Sequence, residues 1–136
     1  MTTTLEAVDS VYHKLAVGIL PGTITGGLYK ENRPTNSKSE DVVINSLSIN
    51  SEQLQEGILN VNIHVPNLII SVNSIQDNSQ PDFVRLKTLT ALAISDLIDV
   101  WTGNIHYTVQ QHALFSDNEL NEHYSNIRLE FYSTNI

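Results

Sequence analysis

Two periods run through the hydrophobic and polar positions of this chain, and the changes from one to the other mark out its elements. Leu5, Val8, Tyr12, Leu15 and Ile19 recur at helical spacing between Thr2 and Ile19, with Glu6, Asp9, Ser10, His13 and Lys14 on the opposite side. This predicts an amphipathic N-terminal helix that Thr3 or Thr4 can cap and Pro21-Gly22 ends. A stronger helical signal runs from Pro81 to Trp101. Phe83, Leu86, Leu89, Ala93, Leu97 and Trp101 share one side there, and Leu92, Ile94, Ile98 and Val100 widen it until little polar surface remains. So apolar a stretch predicts a long central helix that packs on a sheet, meets a second neighbour and serves as the hub of the core. Pro81 suits its first turn and Gly103 its stop.

The shorter period marks strands. From Gly57 to Val65, Leu59, Val61, Ile63 and Val65 face one side while Asn60, Asn62 and His64 face the other, and Pro66 closes the run. Asn104 to Phe115 sets Ile105, Tyr107 and Val109 against His106, Thr108, Gln110 and His112. Glu122 to Thr134 sets Ile127, Leu129 and Phe131 against Asn126, Arg128 and Glu130, and the link Ser116 to Asn121 makes the last two strands an antiparallel hairpin. In Asp41 to Asn50, Val42 and Ile44 fall out of phase with Leu47 and Ile49, which predicts a bulge or a strand buried on both faces. A short strand within Thr23 to Lys30 leads into a polar tongue, Glu31 to Ser39. Leu68-Ile69-Ile70 and Val72 fit either a short strand or an apolar turn, with a loop from Asn73 to Pro81. The sum is one α+β domain over residues 1–136: a mainly antiparallel sheet packed on a long central helix, with an N-terminal helix and a protruding β-hairpin arm at about 27–49.

Composition narrows the function. The chain has 136 residues, enough for one core without staples, and its lack of cysteine excludes disulfide scaffolds, thiolate zinc sites and thiol catalysis. No apolar run approaches the roughly 20 residues that span a bilayer, and no signal-peptide pattern opens the sequence, so a soluble protein without membrane contact is expected. A net charge of −8 disfavours binding to phosphate backbones. The charge is uneven, however: Lys30, Arg33 and Lys38 gather in one segment, and Asp117, Glu119 and Glu122 in another. Arg85 and Lys87 sit at the positive end of the second helix and Asp96 and Asp99 at its negative end, opposite to what the helix dipole favours. Tertiary contacts or a partner surface must then hold them. Lys30, Arg33, Lys38, Arg85, Lys87, Asp117, Glu119 and Glu122 are the candidate interface residues.

Candidate chemistry is sparse. No pair among His13, His64, His106, His112 and His123 has the helical or His-x-His spacing of a metal site, although His106, His112 and His123 would form one if the last strands brought them together. Asp96 and Asp99 are helical neighbours in this reading and suit either acid–base work or a solvated stripe. Gly26-Gly27 lacks the rest of a phosphate loop, and no Gly-x-Ser-x-Gly frames a serine. No catalytic residue, metal or cofactor is assigned, and a non-enzymatic protein is expected.

The layout resembles the tail-completion and tail-terminator proteins of long-tailed bacteriophages. The matching pieces are the helix Thr4 to Ala16, the arm Gly27 to Ile49, the strand Gly57 to Val65, the helix Asp82 to Trp101 and the hairpin Asn104 to Thr134. The resemblance implies a virion protein, assembled in the bacterial host cytoplasm, that forms a homo-oligomeric ring, commonly of six copies. Such a ring caps the tail tube, contacts neck or connector proteins, and lets DNA pass without specific binding. In that picture the basic tongue meets the acidic stretch of the neighbouring copy. The alternatives are another neck, connector or tail-tube protein, or an acidic protein-binding regulatory module.

Overall fold

A computed structural model describes residues 1–134; the last two residues of the expected 1–136 unit lie outside the described residues. Two helices, α1 (Thr4–Ala16) and α3 (Phe83–Leu97), cover one face of a six-stranded sheet, and a single-turn helix, α2 (Leu20–Thr23), joins α1 to the sheet. The strands are β1 (Leu28–Lys30), β2 (Asp41–Ile49), β3 (Leu54–Pro66), β6 (Val100–Thr102), β7 (Ile105–Asp117) and β8 (Glu122–Thr134), in the order β1-β2-β3-β8-β7-β6. β4 (Ile70–Val72) and β5 (Ile75–Asp77) form a separate two-stranded hairpin.

The core is the interface the alternation predicts. Leu59, Val61, Ile63 and Val65 of β3 and Ile127, Leu129 and Phe131 of β8 are buried with Val42 and Ile44 of β2 and Tyr107 of β7. α1 supplies Ala7, Val8, Val11 and Leu15, and α3 supplies Leu86, Leu89, Ala93 and Leu97. Thr3 caps α1 in a reciprocal box with Glu6. β3 and β8 pair antiparallel from Leu54↔Thr134 to Pro66↔Glu122. The register of β2 slips between Ser46 and Ile49, where the phase change falls. Gly57 makes room for this slip, since a Cβ there would lie 2.5 Å from Ile49 Cγ1.

The apolar side expected for α1 is shifted, since Leu5 and Ile19 are exposed and Ala7 and Val11 are buried, and the helix ends at Ala16 with Pro21 and Gly22 inside α2. Four further expectations need correction. The helix expected as far as Trp101 ends at Leu97, and the sheet, not a long central helix, is the hub, with α1 and α3 sharing the layer above it. Ile98 is already extended, Asp99 turns the chain at φ 51°, and Val100 to Thr102 join β7 as a strand. Thr108 Oγ1 accepts the Asp99 N–H at 3.0 Å and holds this exit, so Gly103 (φ 56°) serves the β6–β7 turn instead of a helix stop. Asp96 and Asp99 are therefore not successive positions on one helix.

Second, residues 27–49 are not a hairpin arm. β1 pairs with β2 in parallel, Leu28↔Val42 to Lys30↔Ile44, so the tongue is a crossover that travels back along the sheet to restart at Asp41. Gly26 allows this return, because a Cβ would overlap the Glu40 carbonyl and the Asp41 carboxylate. Third, the free hairpin is β4–β5, in the stretch expected to be partly loop. Asn73 and Ser74, both at positive φ (53° and 65°), form its primed turn. Fourth, β7 carries a register slip between Val109 and Gln111. Beyond it His112 opposes Ile127 and Leu114 opposes Ser125, so His112 lies on the helix-covered face and not with His106 and Thr108.

Candidate functional site

Arg33 leaves the tongue to enter a cluster at the end of the sheet where β2, β3 and β8 meet. Its Nη2 donates to both oxygens of Glu122, at 2.7 and 2.6 Å, and its Nη1 lies 3.4 Å from Asp41 Oδ2. Ser37 Oγ donates to the same Asp41 oxygen, and His64 Nδ1 is 2.9 Å from Glu122 Oε1. Glu122 is only 2% exposed. Burial pushes its carboxyl up, but His64 and Arg33 outweigh that and hold it below the usual carboxylate value. A parallel clamp forms between the tongue's end and α3. Arg85 reaches Glu40 with Nε at 2.7 Å and Nη2 at 2.6 Å, and Nη2 also donates to the Thr23 carbonyl at 2.7 Å. The bond from Arg85 lowers the Glu40 carboxyl. Both clamps fix the tongue to its own fold.

The sequence-predicted interface residues thus separate into two groups. Arg33 with Glu122, and Arg85 with Glu40, are paired inside one chain, so tongue and acidic stretch already meet within a single copy. Lys30 pairs with Asp9 at 2.5 Å and lies 4.7 Å from the centre of the Tyr12 ring. Lys38, Lys87 and Glu119 are exposed, and Asp117 is half-buried at the end of β7. The three histidines do not converge. His106 stacks on Trp101 at 3.8 Å and pairs with Asp99 at 2.9 Å, His112 bonds Ser125 Oγ at 2.6 Å, and His123 bonds Asn67 at 2.6 Å. Among the described residues no three His, Asp or Glu side chains gather closely enough to hold a metal ion.

Two apolar surfaces were not singled out by sequence. One is a groove of about 350 Å³ between the outer side of α3 and the far half of β7, lined by Phe83, Leu86, Ala91, Ile94 and Leu114, with Lys87 at its side. Its polar floor is satisfied internally, because Thr90 Oγ1 and His112 Nε2 both bond Ser125 Oγ. Phe83 on its rim is 64% exposed. The other is the β4–β5 hairpin, which exposes Ile70, Val72 and Ile75. A hint of the groove was present in the sequence: the apolar side of α3 is too wide for one sheet contact, and Phe83 and Val84 are the residues left outside.

The open face of the sheet is polar. Asn126 Nδ2 donates to Asn62 at 2.7 Å and to Asn60 at 3.2 Å, and Asn60 in turn donates to Asn45 at 3.2 Å. This side-chain ladder crosses β8, β3 and β2 and is not an apolar docking face.

The arrangement defines an α+β protein built on a mainly antiparallel sheet, with ion pairs that lock a crossover and apolar surfaces left uncovered. No family model matches the sequence, and no curated protein does. Among solved structures, the fold matches a chain described as "Virion of native gene transfer agent (GTA) particle". The TM-score is 0.60 at 9% identity, over 93% of this chain and 97% of that one. At that identity the likeness is one of fold, and it extends over nearly the whole of both chains.

Proposed function

We propose that this protein is a non-enzymatic structural component of a phage-type virion, a tail-completion or tail-terminator protein that forms a homo-oligomeric ring of about six copies at the head–tail joint. The observation that carries the proposal is the near-complete fold match to a chain of a gene transfer agent virion. The N-terminal helix, the strand β3 and the closing β7–β8 hairpin of the sequence resemblance support the same reading, while its arm and long helix are replaced by a crossover and a shorter helix. A ring of copies needs two unlike surfaces on each chain, and the exposed hairpin and the α3–β7 groove are such a pair. A net charge of −8 also suits a passage through which DNA slides without adhering.

The test is made on particles. Mass spectrometry of purified virions from the host that carries the gene should detect the chain at a low, fixed copy number. Disruption of the gene should yield heads and tails that do not join. Intact infectious particles lacking the chain would overturn the proposal. A particle image that places the chain elsewhere in the neck or in the tail tube would select one of the other virion roles.

A further inference from the structure

We infer that the β4–β5 hairpin of one copy seats in the groove between α3 and β7 of the next, so that hairpin and groove are the two halves of a head-to-tail contact. This deepens the ring reading and rests on it.

The hairpin is built to dock by one face. Ile70, Val72, Ile75 and Asp77 lie on the same side, because Val72 pairs with Ile75 and Ile70 with Asp77, whereas Ser71 and Gln76 occupy the other side. On that face Val72 and Ile75 are largely exposed, and Ile70 partly so, among the described residues. β4 and β5 pair with each other and make no extended contact with α3 or the main sheet. A lone two-stranded hairpin is marginal in water unless its apolar face is packed.

The groove offers what that face lacks. It is apolar, its own polar atoms are already bonded to each other, and it has room for a few aliphatic side chains. One wall is also an open sheet edge: β6 pairs with β7 only from Ile105 to Tyr107, which leaves the outer edge of β7 beyond Tyr107 without a strand partner among the described residues. Such an edge is a template for another strand, and the hairpin carries free edges of its own. Charge favours a second copy in particular. Asp77 is the only charged residue of the hairpin, and Lys87 is the one formally charged residue among those lining the groove. In a chain of net charge −8, copies repel one another overall, so a local acid–base match at this contact gives the docking its direction.

Because the chain has no cysteine, the contact can be tested directly. Val72→Cys and Leu114→Cys are introduced together and the full chain is treated with a short bis-maleimide. The expected result is a ladder of linked multimers, and light scattering on the untreated protein should show an oligomer. An oligomer that yields no intermolecular link, or a link confined to single chains, overturns the hairpin–groove contact and leaves the ring standing. A strict monomer at high concentration overturns both. Charge exchange provides a second arm that needs no new side chain in the core. Asp77→Lys and Lys87→Asp should each weaken association about five- to tenfold at low salt, and the two together should restore it. Failure of the double variant to recover counts against the pairing.

Discussion

At the scale of single residues, Arg33 and Glu122 are the pair on which the tongue depends. Arg33→Met leaves a carboxylate that is 2% exposed without its main counter-charge, and such losses cost about 3–5 kcal/mol. Urea unfolding should show that loss, and Arg33→Met combined with Glu122→Leu should regain part of it, since the pair is removed together while the buried Asp41 still loses its contact with Arg33. The pH dependence follows from the same groups. Glu40 and Glu122 both have folded-state carboxyls held below the ordinary glutamate value of 4.5, so the unfolded chain takes up protons first as pH falls. Their contribution is complete above pH 4.5 and is lost as pH drops through the folded values. Thermal melts should decline below about pH 4.5, and Glu122→Gln should flatten that decline while lowering the plateau. Tyr107 is perturbed in the other direction: burial, with the nearby charge of Asp96, pushes its phenol up to about 12.

At the scale of elements, sequence and structure agree where one face of an element is buried and its period is unbroken. β3 and β8 alternate over their central lengths and were legible residue by residue. α1 was legible as a helix, but Leu5 and Ile19 of its expected apolar side are exposed while Ala7 and Val11 are buried, and of the two threonines able to cap it Thr3 does so. The failures fall where one local feature interrupts the pattern. β7 carries helix-facing positions of both parities because one bulge reverses its phase, which moved His112 to the other side of the sheet. α3 stops at Leu97, where Thr108 on the neighbouring strand β7 captures the Asp99 amide, and no helix-breaking residue marks that point. The β4–β5 turn was hidden because Asn73-Ser74 lacks the glycine that usually announces a primed turn. Ser74→Gly should relieve its positive φ, and stabilise the hairpin by about 0.5–1 kcal/mol. Slower hydrogen exchange at the Val72 and Ile75 amides would register the gain, with little change in global melting. For the candidate site, the charges were legible and their partners were not. Glu122 finds Arg33 at a separation of 89 residues, and nothing in the local pattern of either stretch records that distance.

At the scale of the whole molecule, the charged residues and the apolar ones take opposite parts. The clamps of Arg33 and Arg85 are spent within the chain, on holding the crossover and α3 to the sheet. In the proposed ring, the hairpin and groove are the surfaces left for neighbours. Deletion of residues 32–37 should therefore act as the loss of an internal brace. The expected outcome is a drop in unfolding free energy of the monomer, comparable to that of Arg33→Met, measured by urea titration. A deletion variant as stable as the parent would mean that the Arg33 cluster carries little of the tongue's anchoring.

The position of β8 has a kinetic consequence. The last strand of the sequence lies in the interior of the sheet, between β3 and β7, so the core closes only after Leu54 and Thr134 meet across most of the chain. Contacts of such long range are slow to form, and domains dominated by them fold in milliseconds to seconds. During synthesis the apolar faces of β2 and β3 must wait for β8 to leave the ribosome. A product cut before Glu122 should remain unfolded and prone to aggregate, whereas the full chain should refold cooperatively. In the proposed ring, this order of events would withhold the groove between α3 and β7 from neighbouring copies until β8 is in place.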